Sequence, residues 1–373
     1  MIEAFRKLET QKNGIGPKTI MPVEYLGHKN SLLDFLVSNI ERETGGEHLE
    51  LADMFCGTGS VATAFKRRGY RVLANDQLVS SAAFARASLL NNESPKFLEL
   101  EDLVQFSPGE GLVSRYEDVI RHLNKLEPVR GYFWKNYSPK SQDHCGVERK
   151  YFTESNAMKI DAVRRELKEW EALLPENEWS LLMVDLMKAV NAVSNIAGTY
   201  GCYLKTWKIR AKNLLTLKAS EIVHSQRNHV VTCGDANQLA GEISYPIVYA
   251  DPPYTKRQYA AYYHVLETIA VGDEPEITGS TGLRPWKDKA SDYCYRAKAP
   301  GALHSFISKL DCGHLFLSYN QDGQIPHDTV MDILGEFGTR NVFEIQHRRY
   351  KSSTRPHKGN LLTERLYHVE MRA

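Results

Sequence analysis

The sequence predicts an α/β fold: an open, mostly parallel sheet interrupted by a large helical insertion. Short apolar strands alternate with amphipathic helices up to about Pro95, the pattern of a parallel sheet. The alternation then stops, and it resumes near His229. On each side of the gap a strand runs into a turn with an acid beside it, Asp53 late in the first strand and Asp251 just past the other. The chain of 373 residues suits one large domain or two intimately joined ones.

Residues 1–20 hold Gly14, Gly16 and Pro17 among charges and read as a flexible lead-in. The first strand is Leu49 to Phe55, ending in Cys56-Gly57-Thr58-Gly59. A helix from Ser60 to Arg68 follows, with Ser60 near its N-cap and Gly69 closing it. A second strand, Arg71 to Asn75, leads to Asp76, and a helix from about Ser80 to Asn91 comes next. Between Pro95 and His229 the stretches Asn156 to Leu174 and Glu178 to Val193 have helical character. In the first, Met158, Ala162, Val163, Leu167 and Trp170 recur at helical spacing. An insertion of this size is too long for a loop. The sheet resumes with His229 to Cys233 and Ile247 to Ala250, then a helix from about Tyr262 to Val271. Further strands are expected at His314 to Tyr319, Asn341 to Gln346 and Leu366 to Arg372, with a helix from His327 to Phe337.

Composition excludes several classes. Lys plus Arg is 47 against 46 Asp plus Glu, a formal charge of +1, so a histone-like, purely electrostatic nucleic-acid binder is excluded while a local basic groove is not. No apolar run of about 18 residues exists, and no membrane partner is expected. Residues 1–18 lack the apolar stretch of a signal peptide. The six cysteines, Cys56, Cys145, Cys202, Cys233, Cys294 and Cys312, form no CxxC pair, which fits a reducing cytoplasm. The thirteen histidines show no HxxxH or HExxH spacing, so no metal is expected.

Three constellations carry chemistry. In Asp53-Met54-Phe55-Cys56-Gly57-Thr58-Gly59-Ser60 a strand passes through a glycine turn into a helix N-terminus. Such a turn lets backbone approach a ligand, though a plain tight turn reads the same way. The third glycine of the dinucleotide fingerprint is missing. Asp76 ends the next strand about twenty residues on, where a carboxylate can accept from both hydroxyls of a ribose; an acidic cap on the following helix is the other reading. Asp251-Pro252-Pro253-Tyr254 follows the apolar strand Ile247-Val248-Tyr249-Ala250 and is the most specific signal. Two prolines stiffen the backbone and remove two N–H donors, leaving the adjacent carbonyls without local competition. Cys56 reads as a small packing residue rather than a nucleophile.

Phe55-Cys56-Gly57-Thr58-Gly59 together with Asp251-Pro252-Pro253-Tyr254 resembles the amino-methylating DNA methyltransferases that use S-adenosylmethionine. Tyr25-Leu26-Gly27-His28-Lys29 precedes the glycine turn, and the insertion precedes the Asp-Pro-Pro-Tyr strand. That order is similar to the alpha arrangement of adenine-specific enzymes related to the bacterial Dam methylases. Tyr151 to Leu167 and Gly198 to Trp207 also resemble insertion segments of that family, and the likeness runs from about Met21 to Glu370. The resemblance implies a Rossmann-like, S-adenosylmethionine-dependent methyltransferase fold. Residues 21–94 and 229–373 would form the catalytic domain, and 95–228 an inserted, mostly helical target-recognition lobe.

It also implies roles at matching positions. Tyr25, Gly27 and Lys29 belong to the element over the methionine end of the cofactor. Asp53, Phe55, Cys56, Gly57, Thr58 and Gly59 form its binding turn. Asp76 is the ribose ligand, Asp235 lies near the adenine, and Asp251, Pro252, Pro253 and Tyr254 are the catalytic tetrad, with Asp251 also beside the cofactor. The expected reaction is methylation of the exocyclic N6 amine of adenine in duplex DNA, in a bacterial or phage setting, often beside a restriction endonuclease. Cytosine N4, an RNA adenine, or a non-catalytic DNA-binding module are the competing readings. DNA contacts are expected from two basic stretches. Residues 203–229 hold six cations, Lys205, Lys208 and Arg210 among them, against one acid. Residues 340–368 hold seven, including Arg348, Arg349, Lys351, Arg355 and Lys358, against two.

Overall fold

A computed structural model describes residues 29–46, 48–107, 112–348 and 361–372, with backbone only at 112–114, 347, 348 and 361. The strands are β1 (Glu50–Asp53), β2 (Arg71–Asp76), β3 (Val230–Cys233), β4 (Ile247–Ala250), β5 (His314–Asn320), β6 (Gly338–Arg348) and β7 (Leu361–Met371). They form one sheet in the order β3-β2-β1-β4-β5-β7-β6. The first five run parallel, while β7 is antiparallel to both β5 and β6. This is the Rossmann-like methyltransferase arrangement that the sequence predicts. Strand order reverses between β1 and β4, so a crevice opens beyond their carboxyl ends.

The helices are α1 (Leu33–Glu43), α2 (Ser60–Arg67), α3 (Val79–Leu89), α4 (Leu112–Lys125), α5 (Tyr132–Tyr137), α6 (Ser141–Cys145), α7 (Glu154–Trp170), α8 (Glu176–Ala192), α9 (Ala236–Leu239), α10 (Tyr259–Tyr262), α11 (His264–Val271), α12 (Ala299–Ile307) and α13 (His327–Phe337). The strands bury both faces, so their side chains divide by simple alternation. Leu51, Val72, Ala74, Ile247, Tyr249 and Phe316 pack under α1 and α2; Ala52, Leu73, Val248, Ala250, Leu315 and Leu317 pack under α9, α12 and α13. Among the described residues, no helix is long and apolar enough to cross a membrane.

The inserted segment is helical, with α4 to α8 falling inside it. Its core is continuous with the sheet's own helices. Val163, Leu167, Leu182, Leu186 and Val190 join Phe84 and Ala87 of α3 and Val265, Leu266 and Ile269 of α11 in one buried cluster. Each such fully buried side chain contributes about 1.5–3 kcal/mol.

Several boundaries differ from the sequence reading. β1 stops at Asp53, and Gly59 (φ +72°), not Ser60, is the N-cap residue of α2. β7 begins at Leu361, five residues ahead of the apolar stretch that marked it. The polar run Thr363-Glu364-Arg365 conceals a strand because it pairs with β5 and β6 at the functional edge. Neither α1 nor α12 was anticipated. Tyr25 and Gly27 lie outside the described residues, as do the lead-in and Arg349, Lys351, Arg355 and Lys358.

One buried carboxylate ties these parts together. Glu267 on α11 accepts from the Val79 amide (3.0 Å), the Ser80 amide (2.9 Å) and the Ser80 hydroxyl (2.8 Å), and it pairs with Lys289 at 2.8 Å. It therefore satisfies free N–H groups at the start of α3, where negative charge is favoured. Glu267→Ala leaves these donors buried without an acceptor and should lower the unfolding free energy by about 3 kcal/mol. An unchanged denaturant midpoint would contradict that role.

Candidate active site

The crevice at the carboxyl edge holds a cavity of about 680 Å³, within the usual range for a small-molecule site. Among its lining residues are Lys29, Asp53, Phe55, Cys56, Gly57, Thr58, Asp76, Asp235, Asp251, Pro253 and Tyr254. One cavity thus gathers residues from three distant stretches of sequence. Of the tetrad, Pro252 is buried and does not line it.

Gly57 and Gly59 do different work. Gly57 (φ +53°) turns the chain so that its amide donates to Asp76 Oδ2 at 2.9 Å. Gly59 does not line the cavity. A Cβ there would stand 3.3 Å from Ser88 Oγ and 3.4 Å from Ala85 Cα, so the glycine permits close packing of α2 on α3. The two hydroxyls that follow, Thr58 Oγ1 and Ser60 Oγ, lie 3.0 Å apart.

Asp76 is half-buried. Its Oδ1 accepts from the Leu78 amide at 2.9 Å, so it is at once a local cap and a cavity residue. The Ser81 hydroxyl bonds it as well, and with about four acceptor positions the carboxylate keeps capacity for a ligand hydroxyl. Burial raises its pKa to about 6, against the Leu78 and Gly57 amides that favour its charged form. Asp235 lines the cavity too, but its Oδ1 is engaged as the N-cap of α9, accepting from Asn237 at 2.7 Å and Gln238 at 3.3 Å. The Phe55 ring stands edge-on to Tyr293 (5.5 Å) and Phe306 (5.6 Å) and forms an apolar wall. Cys56 is buried, and burial pushes its thiol pKa well up, which suits packing rather than nucleophilic chemistry.

The charged heart of the site is Lys29, Asp53, Asp251 and Glu364. Lys29 Nζ lies 2.5 Å from Glu364 Oε1 and 3.1 Å from Asp251 Oδ1. The first contact is a hydrogen bond. The second is a longer ion pair. Burial alone would lower the Lys29 pKa, but the two carboxylates outweigh it and hold the ammonium charged. Burial raises Asp251 to about 7; Lys29 pulls it down while Glu364 pushes it up. Asp53 is raised well above the ordinary carboxylate range, by burial and then by Asp251 and Asp76. The Phe55 and Ala62 amides pull Asp53 the other way, yet neither of its oxygens meets a donor in hydrogen-bond geometry. Tyr254 lies under the Lys29 ammonium at 5.5 Å and edge-on to Tyr319 at 6.1 Å.

Orphaned acceptors on Asp53, spare lone pairs on Asp76, an apolar ring at Phe55 and an excess of negative charge fit S-adenosylmethionine, which brings hydroxyls, an ammonium group and a sulfonium. Sequence reasoning missed Glu364, which it counted only as an acid within a basic stretch. It also missed Asn75, whose Nδ2 donates to Met54 O (3.2 Å) and Gly234 O (3.1 Å) and ties three strand ends together. Gln258 and Ser291 exchange hydrogen bonds of 3.0 and 2.8 Å at the cavity wall, and these too went unmarked.

The family described as D12 class N6 adenine-specific DNA methyltransferase matches residues 25–320. The type II methyltransferase M.FokI of Planomicrobium okeanokoites is 35% identical over 353 residues, 93% of this chain and 52% of that protein. Modification methylase StsI of Streptococcus sanguinis is 33% identical over 353 residues, again 93% of this chain and 52% of the relative. The type II methyltransferase M.NlaIII of Neisseria lactamica is 32% identical over 355 residues, 93% of this chain and 99% of the relative. The chain thus spans about half the length of the first two and nearly all of the third.

Asp53, Asp76 and Asp251 all titrate above the ordinary carboxylate range. These three carboxyls therefore hold more protons in the folded chain than in the unfolded one between about pH 4 and 7, and their own contribution to stability falls as pH rises through that window, while buried His229 and His264, both lowered to about 4, act in the opposite direction. Asp251→Asn should remove about one proton from this slope. Denaturant unfolding at acid and neutral pH measures it, and equal losses in both proteins would exclude the raised Asp251 pKa.

Proposed function

Because the chain belongs to the D12 class of N6 adenine-specific DNA methyltransferases, we propose that it transfers a methyl group from S-adenosylmethionine to the N6 amine of adenine in duplex DNA. The observation that carries this reading is the convergence of Asp53, Asp76, Asp251 and Tyr254 on one cavity at the switch point of the sheet. S-Adenosylmethionine, when bound, supplies a methyl group already activated by its sulfonium. Asp53, Phe55, Gly57, Thr58 and Asp76 would hold it, with Asp235 also on the cavity wall.

The chain's own share of the chemistry is positioning and charge. The adenine amine is a poor nucleophile because its lone pair is delocalised into the ring. Asp251 and the Pro252 carbonyl accept its two N–H bonds and localise that pair. Two prolines in succession leave no amide to compete for the carbonyl. Asp251 need not be a strong base, since the amine becomes acidic only as its new bond forms. Tyr254 stacks on the base. The target must leave the helix to reach this pocket, at a cost of a few kcal/mol that stacking offsets.

Residues 95–228 supply target recognition in this reading. A late part of the segment packs on α10, which follows the catalytic tetrad. The Tyr200 amide donates to Tyr262 O at 2.9 Å, and Gly201 sits so close to the Tyr262 ring that a Cβ would stand 3.2 Å from it. The following stretch presents exposed Lys205 and half-buried Lys208 and Arg210. Ile209 and Leu214 stand 89% and 77% exposed among them. Asn195 and Asn156 pin this loop through the Lys208 and Leu215 amides, both at 2.9 Å. A rigid, basic, partly apolar loop suits a duplex, because phosphate contacts position the protein and apolar side chains enter between base steps. Arg348, Arg349, Lys351, Arg355 and Lys358 are proposed as a second set of phosphate contacts on the grounds of charge alone. Relatives named as type II and modification methylases support a further proposal, that this enzyme protects the DNA of a bacterial or phage host beside a restriction endonuclease, in the cytoplasm.

Labelled S-adenosylmethionine and mixed-sequence duplexes test the activity. The expected outcome is label on adenine N6, lost in Asp251→Ala while DNA binding persists. Label on another base, or none, overturns the reading. Charge reversal at Lys205, Lys208 and Arg210 should flatten the salt dependence of DNA affinity by about three counterions at most; an unaltered slope removes this loop from the interface.

A further inference from the structure

We propose that Glu364 is a positioning residue for methyl transfer: it takes the Lys29 ammonium as its own partner and so leaves the Asp251 carboxylate free for the substrate amine. The inference rests on the reading of Asp251 as the acceptor for that amine.

Three observations carry it. First, Lys29 does not divide itself evenly. Its ammonium stands 2.5 Å from Glu364 but 3.1 Å from Asp251, so Glu364 is the closer partner. Second, Glu364 is held from behind. The Ser318 hydroxyl on β5 donates to the same Oε1 at 2.9 Å, and Glu364 pairs with Asn320 in the β5–β7 register. Third, Lys29 and Glu364 are only 5% and 2% exposed in their side chains, so each depends on the other for a partner, while Asp251, at 14%, faces the cavity.

A buried ammonium seeks an acceptor. With Glu364 present it has one, and the pair is neutral. Without Glu364 its remaining carboxylate partner among the described residues is Asp251. Lys29 would then close on Asp251 and compete with the adenine amine for its oxygens. The other groups facing Asp251 cannot take the lysine's place. Asp53 on β1 is a further acid, Tyr249 on β4 carries a buried, uncharged hydroxyl, and Tyr254 offers a ring. The ordering of two acids around one cation thus decides which acid is available for chemistry.

The test is Glu364→Gln, an isosteric loss of charge, assayed with labelled S-adenosylmethionine on duplex DNA carrying the site mapped in methylated host DNA. The plateau kcat should fall at least tenfold. Its acid limb should move to lower pH, since a carboxylate closely paired to Lys29 ionises more readily. Affinity for S-adenosylmethionine, read by calorimetry, should change less than threefold. Glu364→Asp, which keeps the charge, should restore the limb. Ser318→Ala weakens the anchor and should move the limb in the same direction by less; it carries the test if Glu364→Gln does not fold. A limb that stays put in both Glu364→Gln and Ser318→Ala overturns the inference, whatever happens to the plateau. A wild-type chain that transfers no methyl group overturns the reading of the site and this inference with it.

Discussion

A single buried cation sets the terms on which this site exists. Lys29 is 5% exposed and lies within 3.1 Å of Asp251 and 2.5 Å of Glu364. Burying a charge is costly unless it is paired and hydrogen-bonded, and removing one member of such a pair leaves the other stranded. The site goes beyond a balanced pair. Asp53 adds a third acid beside Asp251, with both its oxygens orphaned. The pocket therefore holds more negative than positive character, and the surplus is what a cationic methyl donor complements.

The sheet explains how so many acids share one place. In a parallel sheet every strand ends on the same side, so Asp53, Asp76 and Asp251, each at or just past a strand end, arrive at one edge. β7 alone among the strands next to the site runs the other way. Its beginning, not its end, lies at that edge, and this is why Glu364 stands opposite Asn320 and against Lys29. The antiparallel strand lets a late piece of chain supply a group to a site built by earlier ones.

The helical insertion is not a passenger on this framework. Its buried side chains merge with those of α3 and α11, and α11 supplies Glu267, which caps α3 directly after the Asp76 turn. The element proposed to read the duplex is thus mechanically continuous with the element proposed to hold the cofactor. A lobe that packs this way positions its basic loop by the same core that positions Asp76.

By itself the sequence determined the α/β class, the presence of an interruption in its strand–helix rhythm, and the acids at the strand ends, because those signals are local. Alternating apolar residues, a glycine turn and two prolines are written within a few residues of one another. It placed Asp53, Asp76, Asp251 and Tyr254 in one pocket through motif and resemblance, and these do line it. It did not show that Gly59 lets two helices touch. Only the tertiary structure decided that Glu364 belongs to the site. That residue lies 335 positions from Lys29, in a polar stretch with no apolar rhythm to mark it as strand. Nothing short of the sheet's register brings the two together, since a buried ion pair depends on where strands end in space and not on what surrounds either residue in the chain.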